Sequence, residues 1–435
     1  MMCRNNFPLY STRKPVASVE CPSYFQQPEE DMAGIVIIGA GQGAGQAAAS
    51  LRQQGYEGAV TILGDEAFPP YQRPPLSKQY LSGDLPLERV YVRAEKFYAD
   101  KEIDLRTNTR VASLDVTAKT VTTESGEDIA YDKLMIATGS RPRKLSIEGS
   151  DLEGIHYLRT IADVDGIAEA MKTAKNLVIV GGGYIGLEVA SVAATAGLTV
   201  SVLEMEDRIL QRVTTPEMSA FYHELHTGRG VNVMTNTGVS GFSGTSDGKV
   251  AQVLCGDTSI EADLVIVGIG IIPNIELAQE AGISCDNGIV VNDHCQTSNA
   301  DVYAIGDCSN HPNPILGRRL RLESVPNAME QARVACANMC GEDKVYAAVP
   351  WFWSDQYELK LQMVGFSADG DTQVIRGDKA VNQFAVFYLK EGAVVAVDAV
   401  NSPREFMVAK QLYGKQVNPS ELADPEFELK GLLKK

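Results

Sequence analysis

For 435 residues the chain is poor in metal-ligating and redox-active patterns: it has five histidines, and its eight cysteines include no C-x-x-C pair. Zinc fingers, zinc ribbons and a C-x-x-C redox motif are therefore excluded, and no metal site is expected. Cys336 and Cys340 share one face of an expected helix, so the cysteines read as buried thiols of a reducing, cytoplasmic setting. Basic charge is also scarce. The net charge is -17, and no long basic run offsets it, which argues against nucleic acid or an anionic membrane surface as a partner. No apolar segment opens the chain as a secretory signal would. Residues 1–32 are read as a disordered N-terminal extension with Met32 as the working start; Arg4, Arg13 and Lys14, with no acid before Glu20, leave a transit peptide as the alternative.

The longest apolar run, residues 177–204 (LVIVGGGYIGLEVASVAATAGLTVSVLE), is long enough for a membrane helix, but its composition rejects one. Glycines crowd its first third and β-branched residues occupy both ends, which reads as strand, glycine turn, small-residue helix, strand. The turn spells G-x-G-x-x-G at Gly181, Gly183 and Gly186, and Glu204 closes the second strand. The same logic appears earlier. Residues 34–50 (GIVIIGAGQGAGQAAAS) hold G-x-G-x-x-A at Gly39, Gly41 and Ala44, and the next strand ends in Asp65-Glu66. In such units the first glycines permit a tight turn and close backbone approach to a pyrophosphate. The helix N-terminus faces the anion, and the acid accepts from a ribose hydroxyl.

Further strands are expected at 109–115, 120–123, 131–137, 260–269 and 301–308, with a helix at 328–340. Beyond residue 348 the apolar pattern changes to period two, with strands at 362–365, 372–375, 384–389 and 394–400, a helix near 404–412 and a polar tail. The expected fold class is α/β: two Rossmann-like dinucleotide-binding domains, one inserted in the other, plus a C-terminal α+β domain. The boundaries are placed at 33–143 and 273–347 for the first nucleotide domain, 144–272 for the inserted one, and 348–435 for the last.

Five motifs carry a resemblance: RPPLSK (73–78), GGGYIGLEVA (181–190), LQRV (210–213), ESVPNAMEQAR (323–333) and PWFWSDQY (350–357). Together they are similar to the putidaredoxin reductase family of the glutathione reductase superfamily, which includes rubredoxin reductases and the ferredoxin reductases of Rieske-type oxygenases. The resemblance implies FAD on the first fold and NADH on the second. It places Gly39, Gly41, Gly43, Ala44, Asp65, Lys78, Val111, Arg141, Asp307 and Val325 at the FAD. It places Gly181, Gly183, Ile185, Gly186, Glu204 and Gly270 at the nicotinamide dinucleotide. Lys78 and Glu188 become the catalytic pair, since a lone glutamate on a helix of Ala, Val and Leu reads as buried and in need of a cation.

Disulfide reductases of the superfamily place cysteines where this chain has FPPYQRPPLSK (68–78), which contains none. Reduced flavin would then meet its acceptor directly, a ferredoxin of the [2Fe–2S] type or a rubredoxin serving a cytochrome P450 or an oxygenase. Trp351, Phe352 and Trp353 are expected to floor the docking site, with Arg93, Arg318, Arg319, Arg321, Arg333 and Lys360 as its basic candidates. Two alternatives stand beside this reading: a monodehydroascorbate reductase-like enzyme, and an apoptosis-inducing-factor-like binding protein. Nothing in the sequence indicates an oligomeric state.

Overall fold

The computed structural model describes residues 33–434, so the N-terminal extension lies outside the described residues. Two parallel sheets are built on the same plan. In the first, strands Ile103–Arg106, Val60–Leu63, Gly34–Ile38 and Asp128–Ile136 lie side by side, and Val302–Ala304 pairs with the far edge of Asp128–Ile136. In the second, the order is Asn232–Met234, Thr199–Leu203, Asn176–Val180, Leu264–Val267 and Ile155–Tyr157. Both central strands are unbroken apolar runs because helices or loops cover each face. The second sheet is formed wholly between Asp128–Ile136 and Val302–Ala304, so one nucleotide fold is inserted in the other. Where the chain leaves and re-enters, Ser140–Pro142 pairs with Ile271–Pro273.

The two glycine turns show what each glycine is for. Gly39 has φ +102°, and a Cβ there would lie 2.4 Å from the Ala137 carbonyl oxygen; Gly181 has φ +109° and would approach Gly268 O equally closely. Only glycine fits either place. The third positions differ for a local reason. A Cβ on Gly186 would lie 2.4 Å from Gly181 O, whereas Ala44 already carries its methyl into a well-packed core.

The expected single strand at 260–269 is two. Thr258–Glu261 belongs to a small antiparallel sheet and Leu264–Val267 to the parallel one, and the Asp263 carboxylate at the break accepts from Lys175 N and Asn176 N at 2.9 Å each. Alternating polarity in IEAD against the continuous LVIV run marks the same division. The expected strand at 301–308 likewise ends at Ala304, and Gly306–Cys308 forms a 3-10 turn.

The C-terminal sheet is antiparallel, in the order Trp351–Gln356, Leu359–Gly365, Ala393–Val400, Gln383–Lys390, Thr372–Asp378. Its first strand was absent from the expected set, because its three aromatics in a row hide the period of two. The tail is not a solvated one. Leu422, Leu429 and Leu432 are buried beneath the sheet with Phe406 and Leu412. The buried Arg376 guanidinium donates to the carbonyls of Asp424, Pro425 and Phe427, tying the tail down. No helix of the described residues is long and apolar enough to cross a membrane.

A second tie joins this sheet to the inserted fold. Asp398 Oδ2 accepts from Thr214 Oγ1 at 2.9 Å and from Tyr388 OH at 2.8 Å. Burial outweighs both bonds and pushes the carboxyl up to about 6. A folded-state value above the unfolded one means the native state holds an extra proton between about pH 4 and 6, so stability falls as pH rises through that window. Asp398→Asn keeps an acceptor and removes the ionisation. We expect the difference in urea-unfolding free energy, variant minus wild type, to rise between pH 4 and pH 6.5 by roughly 1–3 kcal/mol.

Candidate functional site

A long cleft of about 1350 Å³, part of it open to solvent, lies where the two nucleotide folds and the C-terminal sheet meet. One wall is the first glycine turn, Gly39 to Gly43, continuing to Asp65 at the end of its strand. Gly41 has ordinary extended φ of -93°, and no protein atom lies within 4 Å of where its Cβ would be. Gly183 is open in the same way. Glycine at these two places leaves room for something outside the protein, as a pyrophosphate approaching the helix N-terminus requires.

The floor is electrostatically organised. Arg73 Nη2 pairs with Glu66 Oε1 at 2.9 Å, and its Nη1 donates to Arg159 O at 2.6 Å. Arg159 Nη2 reaches Asp307 Oδ2 at 2.9 Å, and Ser140 Oγ donates to the same oxygen at 2.8 Å. Burial, reinforced by the Arg73 charge, draws the Arg159 guanidinium below its ordinary range against the pull of Asp307. Arg159 Nε and Gln42 Oε1, both of cleft-lining residues, are buried without a partner among the described residues. A site with a cation under such pressure and an idle donor is suited to a phosphate-bearing ligand. The helix Val325–Met339 also begins here, capped by Ser324 Oγ, with Val325 on the cleft wall. These features fit a flavin dinucleotide.

At the inner end Lys78 Nζ lies 2.6 Å from Glu188 Oε2, their side chains 10% and 4% exposed. Lys78 is delivered by the 3-10 turn Pro74–Ser77, and Nζ also donates to Pro74 O at 3.2 Å. Glu188 projects from helix Tyr184–Thr195 of the inserted fold and accepts from Ser77 Oγ at 2.5 Å and Ser354 Oγ at 2.6 Å. Tyr184 packs against Phe352 with the rings tilted and their centroids 5.3 Å apart, and Phe352 and Trp353 also line the cleft. Among the described residues no cysteine lines the cleft.

The helix that follows the second glycine turn reaches the cleft with Tyr184 and Ile185. Ile185 lines the cleft and is 45% exposed. Glu204 is held by the N–H groups of Gly182 (2.8 Å) and Glu206 (3.0 Å). Arg208, the nearest arginine in sequence, is turned away: it donates to the carbonyls of Thr214 and Gln211 at 3.0 Å each. Gly270 has φ +107° and open space around it.

Three of the residues that the resemblance places at the FAD do not line the cleft with their side chains. Arg141 does not line the cleft; Asn274 Oδ1 and Glu276 Oε1 hold its guanidinium at 2.7 Å each on the surface. Val111 is buried in strand Val111–Asp115 and Ala44 inside its helix, and neither lines the cleft. The basic run is largely neutralised. Arg318 pairs with Asp369, Arg321 with Glu323, Arg333 with Glu330 and Lys360 with Asp355, while Arg319 donates to backbone carbonyls. Missed were Arg159, Ser77, Tyr184 and Ser354. Arg159 had a signal: it follows strand Ile155–Tyr157 at the carboxyl edge of a parallel sheet, where ligands of such folds bind. For Ser354 there was none, because its role depends on a helix far away in sequence.

Residues 33–332 match the family described as pyridine nucleotide-disulphide oxidoreductase, and residues 351–433 match the one described as reductase C-terminal. The chain is 44% identical to putidaredoxin reductase of Pseudomonas putida, over 92% of this chain and 96% of that protein. It is 38% identical to a rubredoxin-NAD(+) reductase of Pseudomonas putida, over 85% and 96% of the two. A solved covalent putidaredoxin reductase–putidaredoxin complex superposes with a TM-score of 0.89 at 43% identity, covering 93% of this chain and 99% of that one.

The two kinds of glycine separate in a mutational test. Gly39→Ala should lower the stability of the cofactor-stripped protein by roughly 1–3 kcal/mol through its backbone conformation alone. Gly41→Ala should leave that stability within about 0.5 kcal/mol, as a surface change does, yet impair retention of the bound dinucleotide, read from visible absorbance after gel filtration.

Proposed function

The chain belongs to the pyridine nucleotide-disulphide oxidoreductase family, and we propose that it is an FAD-dependent NADH reductase passing single electrons to a protein carrier. The carrier is a ferredoxin of the [2Fe–2S] type or a rubredoxin, which in turn serves a cytochrome P450 or an oxygenase. The observation that carries this reading is the cleft itself. It joins one glycine turn, the start of the helix that follows the second and an aromatic strand of the C-terminal sheet, with a buried Lys–Glu pair on its wall and, among the described residues, no cysteine along it.

FAD, when bound, supplies the chemistry: it accepts a hydride from the nicotinamide and returns the electrons one at a time. The chain's residues bind and orient. Gly39, Gly41 and Gly43 would admit the pyrophosphate, Asp65 the adenosine ribose, Arg159 an anionic centre, Asp307 the ribityl chain and Val325 the flavin pyrimidine edge. Lys78, fixed by Glu188 and Pro74 O, presents a single cation at the buried end. Phe352 and Tyr184 exclude water from the space between the folds, and Ile185 covers its mouth. No thiol lines the cleft among the described residues, and Trp353 would stand on the wall past which a bound flavin could meet the carrier directly.

The nicotinamide dinucleotide would lie on Gly181, Gly183 and Gly186. Glu204 is anchored there as a hydrogen-bond acceptor for a ribose 2′-hydroxyl and as a repeller of a 2′-phosphate. A monodehydroascorbate reductase would use the same folds. The match of residues 351–433 to the reductase C-terminal family favours carrier reduction, and the net charge of -17 weighs against a DNA-binding role.

Reduction of a panel of purified ferredoxins and rubredoxins by NADH, followed in their visible spectra, tests the reading; turnover with none of them would refute it. NADH should exceed NADPH in kcat/KM by at least about tenfold. Glu188→Ala should slow flavin reduction in stopped-flow by at least roughly tenfold, or about 1.4 kcal/mol; an unaltered rate would remove the pair from the mechanism.

A further inference from the structure

The Glu188 carboxylate is held from two sides. Oε2 receives Lys78 Nζ and Ser77 Oγ, while Oε1 receives, among the described residues, Ser354 Oγ alone, from the C-terminal sheet. Behind Ser354 the hydrogen bonds continue. Gln356 Nε2 lies 3.2 Å from Ser354 Oγ, Gln356 Oε1 lies 2.8 Å from His226 Nε2, and Tyr357 OH lies 3.3 Å from His226 Nδ1. Glu188, Ser354, Gln356 and His226 are all buried. Strand Trp351–Gln356 makes the row possible: its period of two turns Phe352, Ser354 and Gln356 to the same side, toward the inserted fold.

The direction of every bond follows from the proton inventory. A hydroxyl has one proton, and the proton of Ser354 goes to a carboxylate that offers none. Ser354 therefore accepts from its other neighbour, which must be the amide NH2 of Gln356. That orientation leaves Gln356 Oε1 opposite His226 Nε2, so Nε2 carries the ring proton and Nδ1 is bare to accept from Tyr357. Burial lowers the His226 pKa, in keeping with a neutral ring. All four donors thus point one way, from Tyr357 through His226, Gln356 and Ser354 to Glu188.

We propose that His226, Gln356 and Ser354 are positioning residues for hydride transfer, a one-way row of donors that holds the Glu188 carboxylate by Oε1 and so sets where Lys78 stands. Through it the C-terminal sheet becomes part of the site that receives the hydride, in addition to its contact with the carrier. This inference rests on the reading that Lys78 and Glu188 act in flavin reduction.

The test uses the full-length holoenzyme, with stopped-flow flavin reduction at varied NADH giving a limiting rate and an apparent Kd. His226→Phe removes the ring donor, His226→Gln restores an N–H donor in a similar place, and Ser354→Ala cuts the last bond without touching the helix that bears His226. His226→Phe and Ser354→Ala should each lower the limiting rate by roughly three- to tenfold, the scale of one ordinary hydrogen bond, with Kd for NADH unaltered. His226→Gln should recover most of the wild-type rate. Should His226→Phe fail to fold, Ser354→Ala and Gln356→Leu carry the same expectation. Wild-type rates in Ser354→Ala and Gln356→Leu, alongside a slowed Glu188→Ala, would overturn the row while leaving the ion pair in place. A His226→Gln variant as slow as His226→Phe would also overturn it, since packing alone would then explain the loss. If Glu188→Ala itself is unimpaired, the underlying reading fails and this one with it.

Discussion

The ion pair between Lys78 and Glu188 is the constraint around which the molecule is arranged. Two charges taken out of water cost several kcal/mol each unless partners replace their hydration, and neither fold alone could supply those partners. The first fold contributes the lysine, Ser77 and the Pro74 carbonyl from one tight turn. The inserted fold contributes the glutamate from a helix otherwise made of small apolar residues. The C-terminal sheet contributes Ser354. Remove any one of the three bodies and a buried charge loses part of its solvation. The pair therefore favours a single relative placement of the folds, and the cleft is the space this placement leaves.

Around that point the chain uses one device twice and adapts it each time. Both nucleotide folds turn from strand to helix on a glycine with φ near +100°, because a neighbouring carbonyl occupies the place of a Cβ. Both then present a glycine with empty space beyond it. They diverge at the third position, where the inserted fold has no room for a methyl and the first fold fills a core pocket with one. Charge is distributed in the same economical way. The overall balance is strongly acidic, and at the cleft floor Arg73 is matched by Glu66 and Arg159 by Asp307, as the surface arginines are by nearby acids; what the floor keeps for an anion is the idle Arg159 Nε.

Much of this was legible in the sequence wherever the signal is local. The glycine turns, the acids that end their second strands, the inserted order of the folds and four of the five C-terminal strands all follow from patterns a few residues long. Mistakes came where a pattern was ambiguous over the same short distance. Residues 260–269 read as one strand because both halves are extended and differ only in the sheet they join. Trp351–Gln356 read as an aromatic cluster because its apolar and polar faces begin with the same ring chemistry. The tail read as polar because its buried leucines are spaced among charges, and what anchors it, Arg376, lies on a strand well before it. Arg141, set near the pyrophosphate by likeness, pairs with a neighbouring acid, Glu276.

By itself, the sequence determined what steric exclusion and hydrophobic period dictate: two dinucleotide turns, one inside the other, an antiparallel domain behind them, and a route free of thiols. These, the thiol-free route apart, are demands a residue makes on its immediate neighbours, so they can be read along the chain; of that route the sequence tells only that residues 68–78 contain no cysteine. Tertiary structure alone decided which charges meet. That Arg159 faces Asp307, that Arg208 turns from Glu204, and that Ser354, Gln356 and His226 line up behind Glu188 are contacts between segments far apart in sequence. Their strength depends on burial and on ångström-scale distances, and neither quantity exists until the three folds have packed.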